Sequence, residues 1–489
     1  MRYATLILAV LFAQLTSAAA TEVLLKARDQ TTPNWAEALS KQFKGTIAKQ
    51  VPGLNATILQ IPASDVENLL KEARDNPAIS AVETGGDYRQ LFQITPTADF
   101  SSIQMSQTQK DDVSRLRERK TSASVYVARL RPAGMSFELL RGALAIADGF
   151  STEKGMKLNL APGVTVDALQ TGIKQRGPSS FVWYGKIENR EASGNEGGSA
   201  TFVVQDETIT GMVATGSDVY IVNPLGNGLH AIVKSNSGGF PPDHPPGVQP
   251  LRRDTPELRL QKKGAVENQA APEIQALVLF TPAVRTALGP RNSPDFWATL
   301  AVEAANLVSK NSHARVSLKL VKSKEIDYVE KDFLADRDML VGSEWVKTER
   351  EAAKADVVFL LTVHDEGCGA SAQILADRDT AFSVVDYMCA VGNFSLAHEF
   401  GHLLGLRHHR AADKCDKPFM NGHGYVYENE WGTIEAQRLL CDGCPPPPPR
   451  KAYWSNPSIK YNGVPMGTED HENSVEVINE TASFLAGFH

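Results

Sequence analysis

Ser395-Leu396-Ala397-His398-Glu399-Phe400-Gly401-His402-Leu403-Leu404-Gly405-Leu406-Arg407-His408-His409 is the stretch from which the rest of the chain is read. His398 and His402 are four apart. On a helix both imidazoles therefore leave the same face one turn apart, which suits two ligands of a tetrahedral zinc. Glu399 follows the first histidine and lies beside such a metal rather than on it. There it can take a proton from a water and return it to a leaving amine. Leu396, Phe400, Leu403 and Leu404 make another side apolar, so the helix is expected to seat on a sheet. Gly405, three residues after His402, can end the helix in the left-handed turn that glycine makes without strain. The chain then turns and His408 can return as a third ligand. A fourth position stays open, which marks a catalytic rather than a structural zinc site. His409 competes with His408 for that role, but the spacing favours His408, and His423 reads as a loop residue. The bland alternative is an amphipathic helix with incidental histidines, against which stands their density here.

The residues ahead of this helix supply the sheet. Ala276-Leu277-Val278-Leu279-Phe280 is an apolar strand, followed by a helical pattern at 296–309 with Phe296, Leu300, Val302 and Leu307. A second strand is expected at 316–321, a helical stretch at 332–355, and an apolar strand at 357–361. Phe382-Ser383-Val384-Val385 reads as an edge strand. Strands alternating with helices predict an α/β sandwich with a mixed twisted sheet over 273–489.

With Gly405 and His408 in register, the motif is the His-Glu-x-x-His-x-x-Gly-x-x-His pattern of the metzincins. The chain resembles bacterial secreted metzincins of the peptidyl-Asp metalloendopeptidase type. IQALVLFTPAVRTAL (274–288), HDEGCGASA (364–372) and YWSNPSIKYNGVPMG (453–467) carry the likeness, which extends back to FPPDHPP at 240–246. The resemblance implies a secreted zymogen of a zinc endopeptidase. It implies one catalytic Zn²⁺ on His398, His402 and His408, Glu399 as general base, and cleavage of proteins or peptides beside acidic residues. One departure stands out. Metzincins place a methionine beneath the zinc, and many add a tyrosine two residues on. Here Thr433-Ile434-Glu435-Ala436-Gln437 occupies that place, unless the register shifts to bring in Met420. A carboxylate beneath zinc-bound histidines would alter their electrostatics. It supports an alternative reading, a zinc-binding pseudoprotease.

The remaining chain reads as what precedes a protease. Arg2, the apolar run at 6–12 and Ala18-Ala19-Ala20 form a secretory signal over 1–20. A membrane anchor would need about 18 apolar residues, and the run is interrupted at Gln14. The protein is thus expected outside the cytoplasm, extracellular or periplasmic, and soluble. Residues 21–95 show a βαββαβ order, an α+β, ferredoxin-like arrangement. Their FKGTIAKQVPGLNATILQIPASDVENLLKEARDNPAISAVE (43–83) resembles the propeptide domain of subtilisin-type proteases, which implies an inhibitor and folding aid for the same chain. A ferredoxin-like module of other purpose is the alternative. Residues 96–250 read as a β-rich second pro-domain, opening with a polar linker or surface helix at 99–120. Residues 251–272, with Arg252-Arg253 and Lys262-Lys263, read as a processing linker. No cysteine precedes Cys368, so a propeptide thiolate cannot silence the zinc. Asp243 or His244 could do so, or the segment is a plain proline-flanked turn.

The chain has 489 residues, 42% hydrophobic and 22% charged, with net charge −7. That acidic balance offers no footprint for nucleic acid and no polybasic segment for a membrane surface, so a polypeptide partner is expected. Cys368, Cys389, Cys415, Cys441 and Cys444 suggest two disulfides and one leftover thiol, with the pairing open.

Overall fold

The computed structural model describes residues 20–27, 35–51, 56–76, 78–84, 92–94, 105–130, 155–177, 180–188, 198–205, 208–215, 218–245, 270–437 and 448–489. Nearly all of the predicted signal and of the predicted processing linker, and Cys441 and Cys444, lie outside them. The chain divides into two compact units, residues 1–90 with 132–144, and residues 91–131 with 145–489.

The first unit runs β1 (Ala20–Ala27), α1 (Trp35–Gln42), β2 (Thr46–Val51), β3 (Ala56–Pro62), α2 (Val66–Asp75) and β4 (Ile79–Thr84). The four strands form an antiparallel sheet in the order β2-β3-β1-β4. Period-two alternation puts Val23, Leu25, Leu59 and Ile61 on one face, where Leu39, Phe43, Leu69 and Ala73 of the helical segments cover them. A short 3-10 turn, Ala63–Asp65, leads into α2.

The second unit begins with β5 (Phe92–Ile94), α3 (Gln107–Glu118) and β6 (Ser122–Leu130). Then come β7 (Gly155–Ala161), β8 (Val164–Gly177), β9 (Ser180–Glu188), β10 (Ser199–Gln205), β11 (Thr208–Ala214), β12 (Val219–Gly226) and β13 (Leu229–Ser235). These strands make a nine-stranded sheet. The polar stretch read as a linker or surface helix contains α3, which has a Ser106/Gln109 capping box and buries Val113 and Leu116.

The chain continues with β14 (Glu273–Phe280), α4 (Pro282–Leu288), α5 (Pro294–Asn311) and β15 (Ser317–Glu325). The helical stretch expected at 332–355 is two helices, α6 (Phe333–Gly342) and α7 (Glu344–Ala353), because Ser343 leaves the helical backbone to cap the second. Next are β16 (Val357–Thr362), β17 (Gly369–Ser371), β18 (Phe382–Asp386), α8 (Tyr387–Gly392) and α9 (Ser395–Leu403). Two small hairpins, β19 (Val426–Tyr427) with β20 (Trp431–Gly432) and β21 (Asn456–Tyr461) with β22 (Val464–Met466), precede α10 (Ser474–Leu485).

The sheet order is β15-β14-β16-β18-β17, parallel except for the last strand. The α/β class with a mixed sheet is therefore as expected, but the edge is not. β18 is internal and buried along its length, and β17, too short and small-sided to register as a strand in sequence, forms the antiparallel edge. Alternate residues of β14 and β16 face opposite ways. Ala276, Val278, Val357 and Phe359 face the core shared with α5 and α9, and Leu277, Leu279, Val358 and Leu360 face α6 and α7. Each large side chain so buried contributes about 1.5–3 kcal/mol. That shared core also takes Val113, Val182, Val203, Ile221 and Val233 from the nine-stranded part. No helix among the described residues is long and apolar enough to cross a membrane.

Candidate metal centre and cleft

Every residue of α9 is buried. Leu396, Phe400 and Leu403 hold it in the core, so the opposite face presents His398, Glu399 and His402 inward. The helix ends where Gly405 adopts φ +104°; its N–H bonds to His402 O at 2.9 Å and Leu406 N–H to Gly401 O at 2.9 Å. Beyond the turn, Arg407 is clamped by Asp413 at 2.6 Å and by Lys417 O at 2.6 Å. That clamp fixes the loop from which His408 returns. His423, read as a loop residue, is fully buried and donates from Nδ1 to His408 O at 2.7 Å, so it braces the loop rather than joining the cluster. His409 stays outside the cluster and accepts from Gln437 N–H.

His398, His402 and His408 bring their Nε2 atoms together at 3.1 and 3.3 Å for the two pairs involving His408. A fourth imidazole joins them. His244 Nε2 lies 2.9 Å from His408, 3.2 Å from His402 and 3.4 Å from His398. Three of the rings are oriented by Nδ1–H donation to backbone carbonyls: His398 to Ile434 O at 3.0 Å, His402 to Leu406 O at 3.0 Å, His244 to Gly369 O at 2.8 Å. Their Nε2 atoms are then acceptors facing one another, an arrangement that a cation at the centre reconciles. Four nitrogens around tetrahedral zinc, each about 2.0–2.1 Å away, would sit about 3.3 Å apart. The donor set fits. Burial, the largest cause, holds His398 and His408 well below the usual imidazole range and brings His402 down to about 3, so all three are neutral ligands in waiting.

Glu399 is fully buried beside the cluster, and burial raises its carboxyl to about 8. Ser371 Oγ on β17 donates to Glu399 Oε2 at 2.6 Å, while Glu399 Oε1 has no hydrogen-bond partner among the described residues. Gly369 lets the edge strand pass close by, since a Cβ there would run into the Glu399 carboxylate. Neither Ser371 nor Gly369 was legible beforehand; the run HDEGCGASA contains both, but only the sheet order places them against α9.

The segment 240–245 lies along the mouth of this site. Phe240 packs on the disulfide Cys368–Cys389. Cys368 N–H donates to Pro242 O at 2.8 Å and Gly369 N–H to Asp243 O at 2.8 Å, at the start of the edge strand. Asp243 accepts from Arg450 Nη2 at 2.7 Å, and Arg450 also donates to Ala436 O at 2.8 Å and Asn393 O at 3.1 Å. The segment is therefore more than a proline-flanked turn. On the floor, Glu435 occupies the position anticipated for it, its Oε2 3.2 Å from His398 Nδ1, and Met420 is exposed and away from the rings. Among the described residues, Cys415 is unpaired.

Comparison with known proteins shows the family. The reprolysin-like model of metallo-peptidase family M12B matches residues 298–409. A peptidyl-Asp metalloendopeptidase of Xanthomonas campestris pv. campestris is 30% identical over 414 residues, covering 81% of this chain and 93% of the relative. One from Stenotrophomonas maltophilia is 30% identical over 345 residues, covering 67% and 81%. Among solved structures, metalloproteinase-II from Bacteroides fragilis aligns with 55% of this chain and 85% of its own, at 13% identity and TM-score 0.34.

Proposed function

Because the chain belongs to the peptidyl-Asp metalloendopeptidases, zinc metalloendopeptidases that carry a reprolysin-like domain, we propose that it is a secreted protease made as a zymogen and cutting polypeptides beside acidic residues. The observation that carries this reading is the convergence of three helix and loop histidines beside a carboxylate with one unpartnered oxygen.

His398, His402 and His408 hold one zinc, and the ion supplies Lewis acidity toward a peptide carbonyl and a water molecule. Glu399 is the general base; its Oε1 takes the water's proton and delivers it to the departing amine nitrogen. Ser371 keeps the other oxygen occupied, so Glu399 presents one defined oxygen to the cleft.

Latency is supported by His244, which stands where the open fourth ligand would be and which lies N-terminal to the predicted processing linker. Residues 21–95 and 96–250 make up the pro-region in this reading, and 273–489 the protease. Acidic preference rests on the relatives' names and on the ion pair between Asp243 and Arg450 in the mouth of the site.

Casein digestion by the active protein, with and without a chelator and beside Glu399→Gln, tests the proposal. Cleavage abolished by both treatments is expected, with zinc still bound to the variant. A protein that binds one zinc and leaves casein intact at every pH instead supports the pseudoprotease reading.

A further inference from the structure

Asp243 and His244 are adjacent in sequence, yet they satisfy two different parts of the cleft. His244 fills the metal centre, while Asp243 places its carboxylate on Arg450. The backbone of the same segment accepts hydrogen bonds from the N–H groups of Cys368 and Gly369 at the start of the edge strand. An extended polypeptide laid on a sheet edge binds in this way, through main-chain bonds with side-chain pockets alongside. The segment thus occupies the cleft as a substrate would, and its acidic side chain reports on the pocket beside the metal.

Arg450 is built into that pocket. Its side chain is 8% exposed and the Asp243 side chain 7%. It is anchored by donation to Ala436 O and Asn393 O and by the backbone bridge between Arg450 and Gly432. The nearby cation Arg407 is committed to Asp413. Among the described residues Arg450 has Asp243 as its ion-pair partner, and no ion pair joins it to Glu399 or Glu435. When the pro-segment leaves, Arg450 loses its carboxylate partner, which an incoming carboxylate would replace.

We propose that Arg450 is the specificity-determining residue for acidic substrate side chains, and that Asp243 of the pro-segment stands in for that side chain in the precursor. The inference rests on the acidic preference proposed above and assigns it to one residue.

The test uses active protease obtained from the full-length chain, on matched peptides with Asp or the isosteric Asn at the recognised position. The wild type is expected to favour Asp by about 10- to 100-fold in kcat/KM, the scale of a buried charge-assisted hydrogen bond. Arg450→Gln keeps an amide donor for Ala436 O, and in it the Asp/Asn ratio should fall toward one while the Asn peptide is still cut. A merely structural role would lower both rates and preserve the ratio, which overturns the proposal. A wild type without discrimination removes the acidic preference itself and this inference with it. Should Arg450→Gln fail to fold, the peptide FPPDHPP is tested as an inhibitor of the wild-type protease. Its Asp→Asn form, which retains the histidine, should bind about 10-fold or more weakly; equal inhibition by both peptides overturns the assignment.

Discussion

Glu435 lies beneath His398, its Oε2 3.2 Å from that ring's Nδ1, and neither carboxyl oxygen has a hydrogen-bond partner among the described residues. Family resemblance places a methionine here. The carboxyl is fully buried, so burial holds it well above the ordinary carboxylate range.

Glu435→Met should therefore stabilise the protein. Removing a buried polar group without partners and filling the same space with an apolar chain of similar length gains about 1–3 kcal/mol. The measurement is thermal or denaturant unfolding of the zinc-loaded variant beside wild type. A lower midpoint would mean that Glu435 supports the histidines in a way its lack of partners conceals.

Replacing His244 should release the precursor. The full-length chain carrying His244→Ala is expected to cleave a short peptide before any processing, with activity up by about tenfold or more. Without the imidazole the segment keeps only its bond to Arg450 and its backbone bonds to Cys368 and Gly369, so a short peptide can compete with it for the cleft. A variant precursor as silent as wild type would show that the segment blocks the cleft by bulk alone.

Asp336 and His364 form a pair away from the metal centre whose pH dependence has a definite sign. Their atoms lie 2.9 Å apart, and Tyr328 Oη donates to the same carboxylate at 2.7 Å. Burial alone would lower His364, but the hydrogen bond and charge of Asp336 outweigh it and the imidazole is raised. Burial alone would raise Asp336, but bonds from His364 and Tyr328 outweigh it and the carboxyl is lowered. A raised histidine contributes stability that is full below its unfolded value and lost as pH rises through its folded value. A lowered aspartate contributes stability that is present above its unfolded value and lost as pH falls through its folded value. The pair thus stabilises most between the carboxylate and imidazole ranges. Asp336→Asn should cost about 1–3 kcal/mol there and move the His364 titration downward in NMR. An unmoved His364 midpoint would refute the coupling.

The spacing of His398, Glu399, His402, Gly405 and His408 was legible because a helix repeats every 3.6 residues and a glycine stop is a local event. The strands β14 and β16 were legible for a similar reason, since a parallel strand buried on both faces reads as an unbroken apolar run. β17 was not. Three small residues, Gly369, Ala370 and Ser371, carry no periodicity, and only pairing with β18 makes them an edge. The same gap hid Ser371 as the partner of Glu399, and Arg450, whose neighbours Asp243, Asn393 and Ala436 are scattered along the chain.

By itself the sequence determined the helix that bears the histidines, the turn that follows it, the α/β class of the surrounding domain and the anomaly of Glu435. Each depends on residues within a turn or two of one another, where backbone geometry dictates which side chains meet. Tertiary structure alone decided that His244 completes the cluster 154 residues ahead of His398, that Asp243 meets Arg450 across 207 residues, and that Glu435 rather than Met420 lies under the rings. Those contacts are made by packing one element on another, and no local pattern encodes where a distant loop will come to rest.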